Sequence, residues 1–567
     1  MHDAARQDLI KAIRDSIIGD DEALDGPYGR RKITYADYTA SGRSLSFIEQ
    51  YIYNEVLPKY ANTHTETSGT GLQTTHFREE AREIIREAVG ATEEDAVIFC
   101  GTGATGAINR LVDILNIRLP GNLDSEYDLG KQIPYEDRPV VFVGPYEHHS
   151  NELPWRESTA EVVAIDLDPD GGIDLEHLER ELDKYSDRKL KIGTFSAASN
   201  VTGVVSDVGT ITRLLHERGA LAFWDYACAA PYVPIEMSTE SAYLDAIFLS
   251  PHKFVGGPGT PGILVVKKAL CTNIIPTVPG GGTVSWVDQQ DHRYSDDVET
   301  REEGGTPDIV GSIRAGLVFQ LKDAIGVDYI HGREEQLVKR TIEAWNDHPN
   351  IRILCTKDRD RISIVSFVVR YDDGDQYLHW NFVVPLLNDL FGIQARGGCS
   401  CAGPYGHRLL GIEHAASEEF EKVLQQGYEG VRPGWVRLNF NYFISEPVVD
   451  FLIDAVRFVA DEGWKLLPQY EMDPVSGLWR HRRGYPEPLL SLRDISYESG
   501  RMEYGSHHIT QPESVLDSYM DEAMRIVENA VAEVGRLDIQ DPELHEDFER
   551  LRWFPLPGEV LAKMRDS

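Results

Sequence analysis

Between about residue 96 and residue 267 two patterns of apolar and polar positions alternate. Short, nearly continuous apolar runs rich in β-branched and aromatic residues predict buried strands: AVIFC (96–100), PVVFVG (139–144), KIGTFS (191–196), LAFWDYA (221–227) and DAIFLS (245–250). GATGAINRLVDIL (103–115) and VGTITRLLHERGA (208–220) carry their apolar residues at helical spacing instead. Alternation of this kind predicts an α/β domain whose mostly parallel sheet is covered on both faces. Ligands in such sheets sit at the carboxyl ends of the strands, so the residues just past each run carry the chemistry.

Elsewhere the pattern changes. ISIVSFVV (362–369) and WVRLNFNYF (435–443) predict a second, smaller sheet. Residues 511–537 predict a long amphipathic helix with Val515, Leu516, Tyr519, Met520, Ile526, Val527, Val534 and Leu537 on its apolar side. The N-terminus predicts a shorter one with Leu9, Ile13 and Ile17 together. The polar, Gly- and Pro-containing stretch 117–138 is expected to be a surface insertion.

Composition narrows the function classes. A length of 567 residues allows several domains, and a net charge of −37 argues against a nucleic-acid or anionic-membrane binder, both of which need a basic face. No apolar run is long enough to cross a bilayer, and the N-terminus lacks a signal peptide's apolar centre. Six cysteines in so long a chain do not make a disulfide framework. A reduced, cytoplasmic protein is expected.

After the first strand comes GTGATG (101–106). Formally it is a dinucleotide fingerprint, but the acid expected about 20 residues on falls in the polar insertion. A glycine turn opening a helix also binds a single phosphate, and this reading is favoured, with Ala104 and Thr105 at the turn. PYEHHSNELPW (145–155) offers His148, whose imidazole could stack on a planar ring. Asn200 follows the third run. Asp225 ends the fourth behind Ala222, Phe223 and Trp224, where a buried acid needs a partner such as a protonated ring nitrogen. SPHK places Ser250, His252 and Lys253 after the fifth, and a lysine beside a phosphate loop and an aspartate can form a Schiff base. The order of these features suits pyridoxal phosphate. The remaining motif, QARGGCSCAGPYGHRLL (394–410), sets Cys399 and Cys401 two positions apart: too close for an easy disulfide, and too few for a zinc site. No metal site is expected.

With these residues the chain resembles the class V aminotransferases, a family of fold type I pyridoxal-phosphate enzymes, and within it the cysteine desulfurase and selenocysteine lyase branch. The likeness runs from YADYTASG (35–42) to RLNFNYFISEPVVDFLIDAVRF (437–458) through NTHTE, EHHSNELPW, SPHK and GGTP (304–307) in family order. It implies a seven-stranded, mostly parallel large-domain sheet with a smaller α+β domain. The expected division is an N-terminal segment, 1–60, contributing to the small domain; a large cofactor-binding domain, 61–320; a small domain with the Cys loop, 321–463; and a largely helical extension, 464–567. It also implies Lys253 as the Schiff-base lysine, Asp225 as partner of the pyridine nitrogen and His148 stacked on the ring, where it could also move a proton. Asn200 and the Cys228 position would lie near the ring's phenolic oxygen, with Ala104, Thr105, Ser250 and His252 at the phosphate. Thr306 would reach the phosphate of a neighbouring subunit, making a homodimer with shared sites. Arg437, Arg396 and His64 would face the substrate, with Arg437 on its carboxylate. RGGCSCAGP resembles the family's cysteine loop and places the catalytic thiol at Cys401. A mobile, Gly-rich loop suits a thiol that takes sulfur from L-cysteine and presents it to a protein acceptor, with Cys399 as a neighbour able to relay it.

Three departures bear on the reaction. Cys228 stands where the family has glutamine, Thr65 and Glu66 replace Arg-Gly, and 36 positions separate Cys401 from Arg437. The expected activity is conversion of L-cysteine to L-alanine with a Cys401 persulfide. The competing expectation is another pyridoxal-phosphate reaction, an aminotransferase, epimerase or lyase (on selenocysteine included), with Cys401 not catalytic.

Overall fold

The apolar runs form strands because each buries both of its faces. In the computed structural model, which describes residues 3–63, 65–239, 242–355, 359–371, 376–484 and 488–566, these are Asp95–Cys100 (β1), Val140–Val143 (β2), Glu161–Ala164 (β3), Lys191–Ser196 (β4), Leu221–Asp225 (β5), Ala246–Leu249 (β6) and Gly262–Lys267 (β7). They make one seven-stranded sheet in the order β1-β7-β6-β5-β4-β2-β3. The pairs from β6 through β3 are parallel, and β7 runs antiparallel between β1 and β6. This is the mostly parallel α/β sheet expected. The unnamed strands β3 and β7 complete the five read from the sequence.

The chain divides into two compact units. The first comprises Met1–Ile17, Tyr38–Gln336 and Lys357–Ser363; the second Ile18–Asp37, Leu337–Thr356 and Ile364–Ser567. Of residues 1–60, expected to join the small domain, only Ile18–Asp37 cluster with the second unit. The physical reason is local: the strand Thr34–Tyr35 pairs in parallel with Ile393–Gln394, whereas the helix Asp3–Asp15 buries Ile10 and Ile13 in the first unit. Leu9, expected on that helix's buried side, is only half-buried.

In the first unit β1 is a sheet edge, and its outward backbone groups are met by side chains. The helices Gly69–Ala88 (α1) and Val298–Glu302 (α2) flank it. Glu299 accepts Val97 N–H (2.8 Å) and Glu303 accepts Phe99 N–H (2.7 Å), while Arg82 donates to Val97 O and Arg86 to Asp95 O (2.6 Å). The charges pair among themselves, Arg82 with Glu303 (2.9 Å) and Arg86 with Glu299 (2.8 Å). Ion pairs thereby close an edge that would otherwise offer a template to another strand. The insertion at 117–138 is at the surface, carrying the short helices Gly121–Tyr127 and Leu129–Gln132.

The second unit is built on an antiparallel sheet of Ile351–Ile353 (β8), Ile364–Val369 (β9), Arg396–Gly398 (β10) and Trp435–Asn439 (β11), in the order β8-β9-β11-β10. The helices Trp380–Phe391 (α3) and Glu446–Glu462 (α4) supply Phe382, Leu386, Leu387, Val449, Leu452 and Val456 to its core. The chain beyond residue 463 contributes Leu466, Leu467, Tyr470, Met472 and Trp479 to that core. The predicted amphipathic helix spans Leu516–Glu533 (α5), and its Leu516, Tyr519, Ala523, Val527 and Ala530 are buried together with Phe548, Phe554, Leu556 and Val560. Tyr470 donates to Asp389 of α3 (2.7 Å). Among the described residues no helix is long and apolar enough to cross a membrane.

Candidate active site

The carboxyl ends of the first unit's strands bring most of the expected residues together. After β1 the chain turns at Gly103 (φ +55°) into the helix Gly103–Ile114. A Cβ at Gly103 would lie 2.8 Å from His252 Cε1 and 2.9 Å from Ser250 Oγ, so only glycine lets this turn approach the segment after β6. Ser250, 3 % exposed, accepts Ala104 N–H (2.8 Å) and locks the two strand ends together. Thr105 lies in the first turn of that helix, where backbone N–H groups and the helix dipole favour an anion.

The turn after β2 is tied to this one. Thr105 Oγ1 and Ser150 Oγ are 2.7 Å apart, and Ser150 Oγ lies 3.1 Å from His148 Nδ1. The backbone N–H of Ser150 also donates to Nδ1, which leaves the proton of a neutral His148 ring on Nε2. Behind His148, Glu147 is buried: it accepts from Asn151 Nδ2 (2.6 Å), Ser196 N–H (2.8 Å) and Ser196 Oγ (2.7 Å), and so joins the ends of β2 and β4. Burial drives its carboxyl up to about 8 against these hydrogen bonds, and Asp225 adds to the rise. Ser150, Glu147 and Asn151 went unassigned in the sequence. The visible signal was that they flank His148 in one motif.

Asp225 ends β5 at 4 % exposure. Its Oδ1 accepts Ala227 N–H (2.8 Å), and among the described residues no hydrogen bond reaches Oδ2. Burial raises its pKa; the Ala227 N–H and the charge of Lys253 oppose the rise. Burial and Lys253 push His252 down to about 4, so its ring is neutral near pH 7. Asn200 is buried, and Cys228 is buried with its Sγ on Ala198 O (3.1 Å), turned to the backbone. Thr306 is exposed and accepts from Asn62 Nδ2 (3.3 Å) with no hydrogen bond to the Thr105–Ser150–His148 chain. His64 lies outside the described residues.

This donor set fits pyridoxal phosphate. A helix N-terminus with the hydroxyls of Thr105 and Ser250 suits a phosphate, and a carboxylate oxygen that receives no hydrogen bond, on the buried residue Asp225, suits a protonated ring nitrogen. Lys253 follows within the same strand-end cluster. Among the described residues no cluster of three or more His, Cys, Asp or Glu is placed to hold a metal ion.

The other expected residues belong to the second unit. Cys399 to Ala402 form a left-handed turn closed by Ala402 N–H on Cys399 O (3.0 Å), with Ser400 (φ +50°) and Cys401 (φ +55°) both in the region that favours glycine. Cys399 is half-buried and Cys401 exposed, and both are free thiols. The glycines before them have a packing reason: a Cβ at Gly397 would lie 2.6 Å from the Trp380 ring, and β10 pairs with β11. Arg437, 4 % exposed, and the exposed Arg396 both pair with Asp37.

Known proteins resemble the chain over most of this length. A relative from Streptomyces coelicolor named "Probable cysteine desulfurase" is 27 % identical over 456 residues, covering 79 % of this chain and 96 % of the relative. One of the same name from Halalkalibacterium halodurans is 26 % identical over 385 residues, 67 % of this chain and 87 % of the relative. Among solved structures, an apo cysteine desulfurase from Thermococcus onnurineus matches with a TM-score of 0.63 at 23 % identity, covering 80 % of this chain and 98 % of that one. The Escherichia coli cysteine desulfurase CsdA matches at 0.59 and 21 % identity, covering 75 % and 94 %. These two likenesses establish the fold, and residues 34–417, more than half of the sequence, match the family model described as aminotransferase class-V: the chain belongs to that family.

Proposed function

We propose that the protein is a pyridoxal-phosphate-dependent cysteine desulfurase that converts L-cysteine to L-alanine and keeps the sulfur as a persulfide on Cys401. The observation that carries the reading is the strand-end cluster of one unit, in which a phosphate-suited helix N-terminus, the buried residue Asp225 with one oxygen that receives no hydrogen bond, and Lys253 lie together. The relatives named for cysteine desulfurase support the choice of substrate. Thr105, Ser250 and His252 would hold the phosphate, Asp225 Oδ2 the ring nitrogen's proton, and His148 the ring face. Asn200 would approach the phenolic oxygen.

Bound there, pyridoxal phosphate supplies an electron-accepting ring that stabilises negative charge at the substrate's α-carbon. Lys253 Nζ takes the α-proton. Cys401 attacks the substrate's sulfur as a thiolate; an S–S bond forms as the C–S bond breaks, the β-carbon takes a proton, and Lys253 Nζ returns a proton to the α-carbon to leave alanine. Atoms and electrons balance without an added oxidant. Arg437 and Arg396 hold the substrate carboxylate. A homodimer, with Thr306 reaching the neighbouring site, and a cytoplasmic location with a protein sulfur acceptor complete the proposal.

The cofactor-loaded protein is incubated with L-cysteine and a thiol reductant, and alanine and sulfide are quantified together. Equal amounts, abolished in Cys401→Ala and kept in Cys399→Ala, are expected. One observation favours a second reading: Cys228, turned to Ala198 O, replaces the glutamine of the resembling motif. On that reading another amino acid is the substrate, and alanine formation fails in a protein that still binds the cofactor.

A further inference from the structure

His148 Nδ1 accepts the backbone N–H of Ser150 at 3.1 Å, so this nitrogen presents a lone pair. The Ser150 hydroxyl, also 3.1 Å from Nδ1, therefore donates its proton there. With that proton engaged, Ser150 Oγ can only accept across its 2.7 Å contact with Thr105 Oγ1. Both hydroxyl protons thus run one way, from Thr105 through Ser150 to His148. Thr105 stands in the first turn of the helix Gly103–Ile114, where an anion is favoured, and an anion offers only lone pairs. Thr105 can serve an anion only by turning its proton away from Ser150. A hydroxyl that donates to an anion becomes a better acceptor. Its oxygen also lies closer to Ser150 Oγ than Nδ1 does, at 2.7 against 3.1 Å. The Ser150 hydroxyl then turns to Thr105, and the chain of hydrogen bonds reverses.

The backbone of this turn is held by other groups. Asn151 is fully buried, donates to Glu147 (2.6 Å) and accepts from Thr194 Oγ1 (2.7 Å), and Glu147 accepts Ser196 N–H of β4 (2.8 Å). Removing Ser150 Oγ therefore breaks the chain and leaves the turn in place. We propose that Ser150 is a positioning residue that carries the arrival of the cofactor's phosphate to His148: the phosphate takes the Thr105 hydroxyl, the Ser150 hydroxyl turns to Thr105 Oγ1, and Nδ1 loses one of its donors. The inference rests on the reading of Thr105 as a phosphate ligand and of His148 as the residue on the ring face. Ser150 acts through these two, and the coupling is reciprocal by linkage. A purely structural tie would hold helix and turn together and leave Nδ1 indifferent to an anion at Thr105.

The test uses the full chain with 15N-labelled histidine, at an alkaline pH where the imidazole is neutral. The His148 signals are identified by their loss in His148→Asn. Inorganic phosphate and pyridoxal phosphate are added in turn, and calorimetry follows the binding of each independently. The 15N shift of an accepting ring nitrogen reports the hydrogen bonds it receives. In the wild type either addition is expected to move the Nδ1 signal toward that of a nitrogen with fewer donors. Ser150→Ala is expected to start near that position and to respond several-fold less, and Ser150→Thr, which keeps the hydroxyl, to respond as the wild type does. Binding without a response at Nδ1 in the wild type, or with an equal response in Ser150→Ala, would overturn the proposal. So would an Nδ1 signal that is the same in wild type and Ser150→Ala before any addition, a comparison that needs no ligand. If neither phosphate nor the cofactor binds, calorimetry shows it directly: the cofactor reading of the strand-end cluster fails, and the inference falls with it.

Discussion

Glutamine in place of Glu303 isolates the charge that closes the β1 edge. Glu303 accepts Phe99 N–H at 2.7 Å and pairs with Arg82 at 2.9 and 3.0 Å and with Arg78. Burial alone would raise its pKa, but Arg82 and Arg78 outweigh burial and hold the carboxyl below the ordinary glutamate range. Glutamine keeps the shape and one acceptor for Phe99 N–H, so the change removes charge rather than volume. Arg82 and Arg78, with side chains 3 % and 7 % exposed, then retain Glu79, half exposed, and, for Arg82, Glu299 at 3.7 Å. Breaking a buried pair from one side costs about 3–5 kcal/mol, and the remaining carboxylates reduce that here to about 2–3 kcal/mol. Urea unfolding measures the loss, and hydrogen exchange at Val97 and Phe99 locates it. The pH dependence has a definite sign. A carboxyl with a depressed folded pKa contributes stability above its unfolded value, about 4.3, and loses it as pH falls through the folded value, so wild type and variant converge in acid. A loss under about 0.5 kcal/mol, or a gap that stays constant into acid, would refute the ion-pair account. Adding Arg82→Met to Glu303→Gln should cost less than the two single changes combined, because the stranded cation is gone.

Gly103→Ala must place a Cβ 2.8 Å from His252 on a left-handed backbone; an affinity for pyridoxal phosphate lower by about tenfold or more is expected in an absorbance titration, and unchanged affinity would discount the strand-end turn. Phe554→Ala empties a position of the second unit's core and should cost about 3–5 kcal/mol in thermal unfolding, although Phe554 lies beyond the family match. Burial pushes His379 down to about 3, against the bond it makes to Gly430 O. A folded pKa below the unfolded one means that stability falls as pH drops below about 6.5, by about 1.4 kcal/mol per pH unit for this residue until its folded value is reached. Urea unfolding from pH 7 to 5 should show a shallower acid slope in His379→Asn than in the wild type.

What could be read from the sequence were features contained in short stretches. Buried parallel strands announce themselves because both faces are apolar, and the turns after them kept their chemistry next to the strand that positions it, as in SPHK after Ala246–Leu249. Features made by distant segments were not readable. Gly397 and Gly398 suggest a mobile loop until Trp380 is seen occupying the space of the Cβ missing at Gly397, with Gly398 at a φ of +109° that favours glycine. Glu299 and Glu303 look like any solvated acidic run, although both carboxylates serve a strand 200 residues earlier. Asp37 pairs with Arg437 across 400 positions. The extension's amphipathic helix was legible from its period, but a period says that a face is covered and not by what.

The interleaving of the two units also orders their birth on the ribosome. The first unit needs nothing after Ser363, whereas the core of the second collects Ala36 from near the start and Phe548, Phe554 and Val560 from near the end. At about 5–20 residues per second, the apolar faces of β9 and α3 wait on the order of ten seconds or more for the side chains that cover them. Throughout that interval the nascent chain carries a finished sheet domain beside an open hydrophobic surface, which is the kind of state that chaperones bind. Truncation near the end therefore strips the second unit of the pieces that close it.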